Sequence, residues 1–157
     1  VLPGLYNVKL TTAGRSYTER LTVRMDPRVH TPTAGLAEQF TLSKQVYDDE
    51  LACVAIFDQI RALHPKLGQA KDLDQKLTAL EGAPTGGRGG RGAAAGGPDT
   101  LNSIRPALAN LLRLLQGADV APTTQEIAAV ADRHKAFVAL QQRWISLQNE
   151  LKQLNLP

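Results

Sequence analysis

The stretch LAEQFTLSKQVYDDELACVAIFDQIRAL, residues 36–63, decides the fold. Leu36, Phe40, Tyr47, Leu51, Val54 and the pair Phe57 and Ile60 recur at intervals of three and four, the spacing that lines up side chains on one face of an α-helix. Ahead of it, Thr31-Pro32-Thr33 offers a threonine cap and a proline suited to a first turn. Behind it, His64-Pro65 ends or kinks the helix, because proline disfavours helical backbone in the residue before it and donates no hydrogen bond of its own. The spacing predicts a helix of about 30 residues, near 45 Å at a rise of about 1.5 Å per residue.

The same period continues downstream. Leu67, Ala70, Leu73, Leu77 and Leu80 mark a shorter second helix ending near Glu81-Gly82. Leu101, Ile104, Leu108, Leu111 and Leu115 mark a third, from about Asp99 or Ser103 to Gln116, with Gly117 as its stop. Pro106 favours the later start. Thr123 and Glu126 stand in capping-box register just before Ile127, Val130, Phe137, Trp144, Leu147, Leu151 and Leu154, which predict a last helix as long as the first. Between the second and third helices, residues 83–98 are rich in glycine and hold no apolar residue larger than alanine, the composition of a flexible connection. Two long and two short helices joined in this way fit an antiparallel bundle of three to four helices.

Upstream of the helices the period drops to two. Tyr6, Val8 and Leu10 alternate with Asn7, Lys9 and Thr11; after the turn Thr12-Ala13-Gly14-Arg15, the residues Tyr17, Leu21, Val23 and Met25 alternate with polar ones. These are two strands, residues 5–11 and 16–25, stopped by Asp26-Pro27. A lone hairpin is marginal in water, so its apolar face requires cover, either from the bundle or from strands of another segment. The chain opens on a turn and a strand at Val1, which favours a hairpin that forms the last two strands of an Ig-like sandwich. The organisation is then residues 1–30, a hairpin ending a sandwich, and residues 31–157, the helical bundle, giving a mainly α fold.

Composition agrees. The hydrophobic content of 43% is mostly Leu, Ala and Val, with three Phe, three Tyr and one Trp, a mixture suited to interdigitating helices. The net charge of +3 sits entirely in residues 1–30, where Lys9, Arg15, Arg20, Arg24 and Arg28 face only Glu19 and Asp26. The bundle is therefore formally neutral and offers no basic stripe for nucleic acid. The dispersed cations of the hairpin suit a solvated strand face. No apolar run approaches the roughly 18–20 residues that cross a bilayer.

Candidate chemistry is sparse. His30, His64 and His134 have no partner at i+4, as a helical zinc motif requires, and His134 between Val130 and Phe137 reads as a hydrogen-bonded structural histidine. Asp48, Asp49 and Glu50 fan out around a helix and read as a solvated face, not an ion cage. Cys53 is the only cysteine and lies in an apolar run, the setting of a buried, inert thiol. Thr85 to Gly92 contains Arg88 and Arg91 among glycines but neither the Lys-Ser/Thr ending of a phosphate loop nor interleaved aromatics. No catalytic, cofactor-binding or metal-ligating residue emerges, and no cofactor is implied.

The ordered segments VLPGLYNVKL (residues 1–10), SYT (16–18), LTVRMDPRV (21–29), LQGAD (115–119) and APTTQ (121–125) together resemble the tail of a family of large exported bacterial proteins. Its members carry sortilin-like (VPS10) or BNR-repeat β-propellers and are often labelled glycosyl hydrolases. The resemblance implies an upstream propeller and an extracytoplasmic location, periplasmic or secreted, with any sugar-cleaving residues on that propeller. The expected function is a non-catalytic structural or protein-interaction module. Its partner is the propeller or another protein, and it is either the C-terminal part of a larger protein or a small subunit of an assembly associated with a membrane. An accessory domain of a sialidase-like glycoside hydrolase is the alternative.

Overall fold

The computed structural model describes residues 2–68, 70–83 and 98–153. Two strands, β1 (Gly4–Thr12) and β2 (Arg15–Val23), precede four helices: α1 (Thr33–Leu63), α2 (Lys71–Glu81), α3 (Leu101–Leu115) and α4 (Thr124–Gln153). The fold is mainly helical with an N-terminal hairpin, as the periodicities predict. The glycine-rich segment 84–97, with Arg88 and Arg91, and Leu154 of the last stripe lie outside the described residues.

The bundle is built from three rods. Gln39 of α1 donates to the carbonyls of Leu115 and Ala118, and the Cys53 thiol approaches the Leu101 carbonyl at 4.0 Å, so α1 and α3 run antiparallel. The Asp49–His134 and Gln59–Gln148 contacts put α1 and α4 side by side in the same sense. α2 returns from the end of α1 and stops where the Asn102 amide donates to the Gly82 carbonyl at 2.8 Å. α2 and α3 thus stack end to end as the middle rod of an up-down-up bundle. At about 1.5 Å per residue, their 11 and 15 residues together nearly match the 31 of α1.

The local signals explain the boundaries. A single 3-10 turn, His64–Lys66, follows α1 where the proline stands. The α4 capping box forms as its spacing predicts: the Glu126 carboxylate accepts from the Thr123 backbone N–H at 2.8 Å, and the Thr123 hydroxyl accepts from the Glu126 N–H at 3.2 Å. α3 starts at Leu101, between the two expected positions, because Thr100 and Ser103 form a reciprocal cap of their own. Pro106 is carried inside α3 near its start. Gly117 does not stop α3 through left-handed backbone; Gln116 caps the helix instead. Thr31 is not the α1 cap either, since its hydroxyl donates to the Asp119 carbonyl and ties the start of α1 to the loop before α4.

The core joins Val46, Cys53, Ile56 and Ile60 of α1 to Leu73, Leu77 and Leu80 of α2, Leu101, Ile104, Leu108 and Leu115 of α3, and Val130, Phe137, Leu140, Trp144, Leu147 and Leu151 of α4. For α2, α3 and α4 these are largely the predicted stripes. For α1 they match only in part: Leu36 and Ile60 of the predicted stripe are buried and Phe57 packs against the core, but Phe40, Tyr47 and Leu51 are exposed, and the buried face runs through Leu36, Ser43, Val46, Asp49, Cys53, Ile56 and Ile60. α1 carries apolar residues on two faces, and packing selects the one that includes a serine and an aspartate.

Candidate interaction surface

β1 and β2 pair antiparallel, with Tyr6 opposite Leu21, Val8 opposite Glu19 and Leu10 opposite Tyr17. Directly opposed residues point to one side of a sheet, so Tyr6, Val8, Leu10, Tyr17, Leu21 and Val23 share a face with Glu19, as the alternation predicts. The other face presents Asn7, Lys9 and Thr11 beside Thr18, Arg20 and Thr22, with Leu5 opposite Thr22 as its one large apolar residue. The hairpin is therefore strongly two-sided. The turn is a two-residue loop in which both Ala13 (φ 47°) and Gly14 (φ 75°) adopt left-handed backbone, the geometry that matches the twist of paired strands. Beyond the end of β2, Asp26 pairs with the Arg28 guanidinium at 2.6 Å and accepts from the Arg28 N–H at 2.9 Å, a local turn that holds the carboxyl below its ordinary value.

The bundle does not cover the apolar face. Val8 is 49% exposed, Leu10 62%, Tyr17 54% and Leu21 51%, against near-complete burial of the bundle core. Fully burying a side chain of this kind is worth about 1.5–3 kcal/mol, so the face withholds a large part of its stabilisation until something packs on it. Both outer edges of the two-stranded sheet are also unpaired among the described residues.

At its base the hairpin meets the bundle in a cleft of about 250 Å³ lined by Leu2, Pro3 and Met25, by Leu36, Gln39, Phe40 and Ser43 of α1, and by the end of α3 with its following loop. The Ser43 hydroxyl, in a residue only 7% exposed, has no hydrogen-bond partner. A second groove, of about 290 Å³, lies between the C-terminal ends of α1 and α4 around Leu63, Trp144 and Leu151.

None of the titratable candidates lines the cleft or the groove. His134 pairs through Nδ1 with the Asp49 carboxylate at 2.8 Å, the structural role expected of it. Asp49 itself is buried, which corrects the reading of Asp48, Asp49 and Glu50 as one solvated face; Asp48 alone pairs outward, with Lys44. His64 holds Asp74 through Nδ1 at 2.7 Å and Glu81 through Nε2 at 3.2 Å, and Asp74 first, then Glu81, raise its pKa against the opposing effect of burial. Cys53 is fully buried, and burial pushes its thiol up to about 11, so no thiolate nucleophile forms near neutrality. Among the described residues no three of His, Cys, Asp or Glu converge to hold a metal ion, and no helix is long and apolar enough to cross a membrane.

The sequence exposes the alternation of the strands but does not reveal the cleft. Its walls come from four separate stretches of sequence, and Ser43 gives no signal in a hydrophobic pattern. Compared with known protein families, characterised proteins and solved structures, the chain matches none.

Proposed function

We propose that the chain is a non-catalytic structural and protein-interaction module. Its hairpin supplies two strands and one apolar face to a β-sandwich that another polypeptide segment completes. The bundle braces that sandwich. The observation that carries this reading is the bare apolar face, exposed although the bundle beside it has a complete core. A two-stranded ribbon with one apolar side, one mainly Thr/Lys/Arg side and two edges unpaired among the described residues has the pattern of half a sandwich layer.

The resemblance to exported propeller proteins supplies the setting: an extracytoplasmic module, belonging to a larger protein or acting as a small subunit of a larger assembly. Any hydrolytic activity then belongs to residues outside this chain. Intact-mass analysis with native sizing, on the protein isolated from its natural source, tests the proposal. Covalent continuity with β-rich sequence, or a stoichiometric protein partner, is the expected result. A free, monomeric 157-residue chain would overturn it.

A further inference from the structure

We propose that a strand from another polypeptide segment pairs in the plane of the sheet along the outer edge of β1, leaving β2 as the terminal strand. The inference rests on the interaction-module reading and names which of the hairpin's two edges takes the partner.

Backbone groups set what the edges can bind. In an antiparallel ladder, pairs that exchange both hydrogen bonds alternate with pairs whose N–H and C=O groups point outward. The two-residue loop makes Thr12 and Arg15 a bonded pair, because such a turn closes between its first and fourth residues. Counting along the register, Leu5, Asn7, Lys9 and Thr11 turn their backbone groups out from β1, and Ser16, Thr18, Arg20 and Thr22 turn theirs out from β2. All of these residues are exposed. Each edge is a row of donors and acceptors repeating at about 6.8 Å, and an extended chain is the ligand with the matching repeat.

Side chains separate the two edges. Sheets guard an exposed edge with charge, including charge turned into the apolar face. β2 carries that device. Glu19, its middle residue, lies on the face of Tyr17 and Leu21, opposite Val8, and has no ion-pair partner among the described residues. On a terminal strand the Glu19 carboxylate reaches water round the open edge. With strands on both sides of β2 it would be enclosed among apolar side chains as an unpaired charge, which is costly. Arg15 and Arg20 add two more charges to the same strand.

β1 lacks the device. Its apolar face holds Tyr6, Val8 and Leu10 without a charge, and its single cation, Lys9, lies on the polar face. Leu5 adds an apolar side chain to that second face. Neither a bulge nor a proline interrupts the strand, since the register runs without a break from Gly4 to Thr12. β1 is therefore the edge left open to pairing and β2 the edge guarded against it.

Amide-resolved hydrogen exchange on the protein made in its native source tests the inference, together with proline placed at the two members of one rung, Lys9 and Thr18. Each proline removes one outward N–H and sets its ring on one edge, and neither removes a bond inside the hairpin. The expected result is slow exchange at Asn7, Lys9 and Thr11 beside free exchange at Ser16, Thr18 and Arg20. Lys9→Pro abolishes the protection of the remaining outward β1 amides, and Thr18→Pro leaves it. Should either proline undo the hairpin, the pattern in the unsubstituted protein still decides. Protection of the outward β2 amides instead, or of both edges alike, would overturn the choice of edge and leave the module reading standing. Protection of neither edge, in a protein that keeps a stoichiometric partner, would overturn the in-plane pairing alone; the same result in a free monomer would sink both readings. Protection of β1 in a dimer of this chain alone would overturn the partner segment in favour of a second copy.

Discussion

The buried Asp49 carboxylate is held at 2.8 Å by His134 Nδ1 across the interface between α1 and α4. A carboxylate on the core face of a helix is tolerated only with a partner, since a buried charge left unpaired carries its full desolvation cost. His134→Ala is therefore expected to destabilise the chain by about 1–3 kcal/mol in urea unfolding. The double variant Asp49→Leu, His134→Leu recovers much of that loss. An additive double variant contradicts the pairing.

His64 bridges two carboxylates through both ring nitrogens, which requires both to carry protons. Its pKa is raised above the ordinary value of 6.5, so its stabilising contribution is complete below about 6.5 and is lost as pH rises through the raised value. Denaturant midpoints are expected to fall across that window as α2 loses its tie to the end of α1. His64→Gln flattens the fall, and an unchanged slope in this variant disproves the linkage.

Gly82 joins the two halves of the middle rod at φ 76°, where an added Cβ would lie 2.3 Å from the Thr100 hydroxyl oxygen. Gly82→Ala meets both a backbone penalty and a clash, and should cost about 2–4 kcal/mol in chemical denaturation. The same closeness of α2 and α3 means that residues 84–97 are not needed to span a gap. Replacing them with a four-residue Gly/Ser linker is expected to raise stability by about 1 kcal/mol through the smaller closure entropy, with helical circular dichroism retained. Loss of the cooperative transition would contradict this.

Ala13 occupies left-handed backbone in a turn that favours Asn-Gly. Ala13→Asn relieves about 1 kcal/mol of strain local to the hairpin. Amide exchange in β1 and β2 should slow while that of the bundle is unchanged.

Most of this architecture is legible in the sequence, because α2, α3 and α4 each carry one apolar stripe and the strands carry one alternation. α1 is the exception. Leu36 and Ile60 face inward as their spacing predicts, but Phe40, Tyr47 and Leu51 satisfy the helical period as well as Val46, Cys53 and Ile56 do, and only packing decides which set faces inward. That the core face also bears Ser43 and Asp49 makes it look the more polar of the two, which is why the spacing takes in Phe40, Tyr47 and Leu51 in the middle of the helix although they face outward. Likewise Thr31 has the chemistry of a helix cap, but the nearby Asp119 carbonyl, distant in sequence, takes its hydroxyl.

Hydrogen exchange over residues 4–12 and 15–23, compared between the isolated chain and the protein in its native source, tests whether the hairpin is covered by another segment. Exchange is expected to be rapid in the isolated chain, where a bare two-stranded ribbon frays. Strong protection of both strands, including the outward edge of β1, is expected in the native assembly. Equal protection in the two states would show that the hairpin needs no cover and would contradict the account.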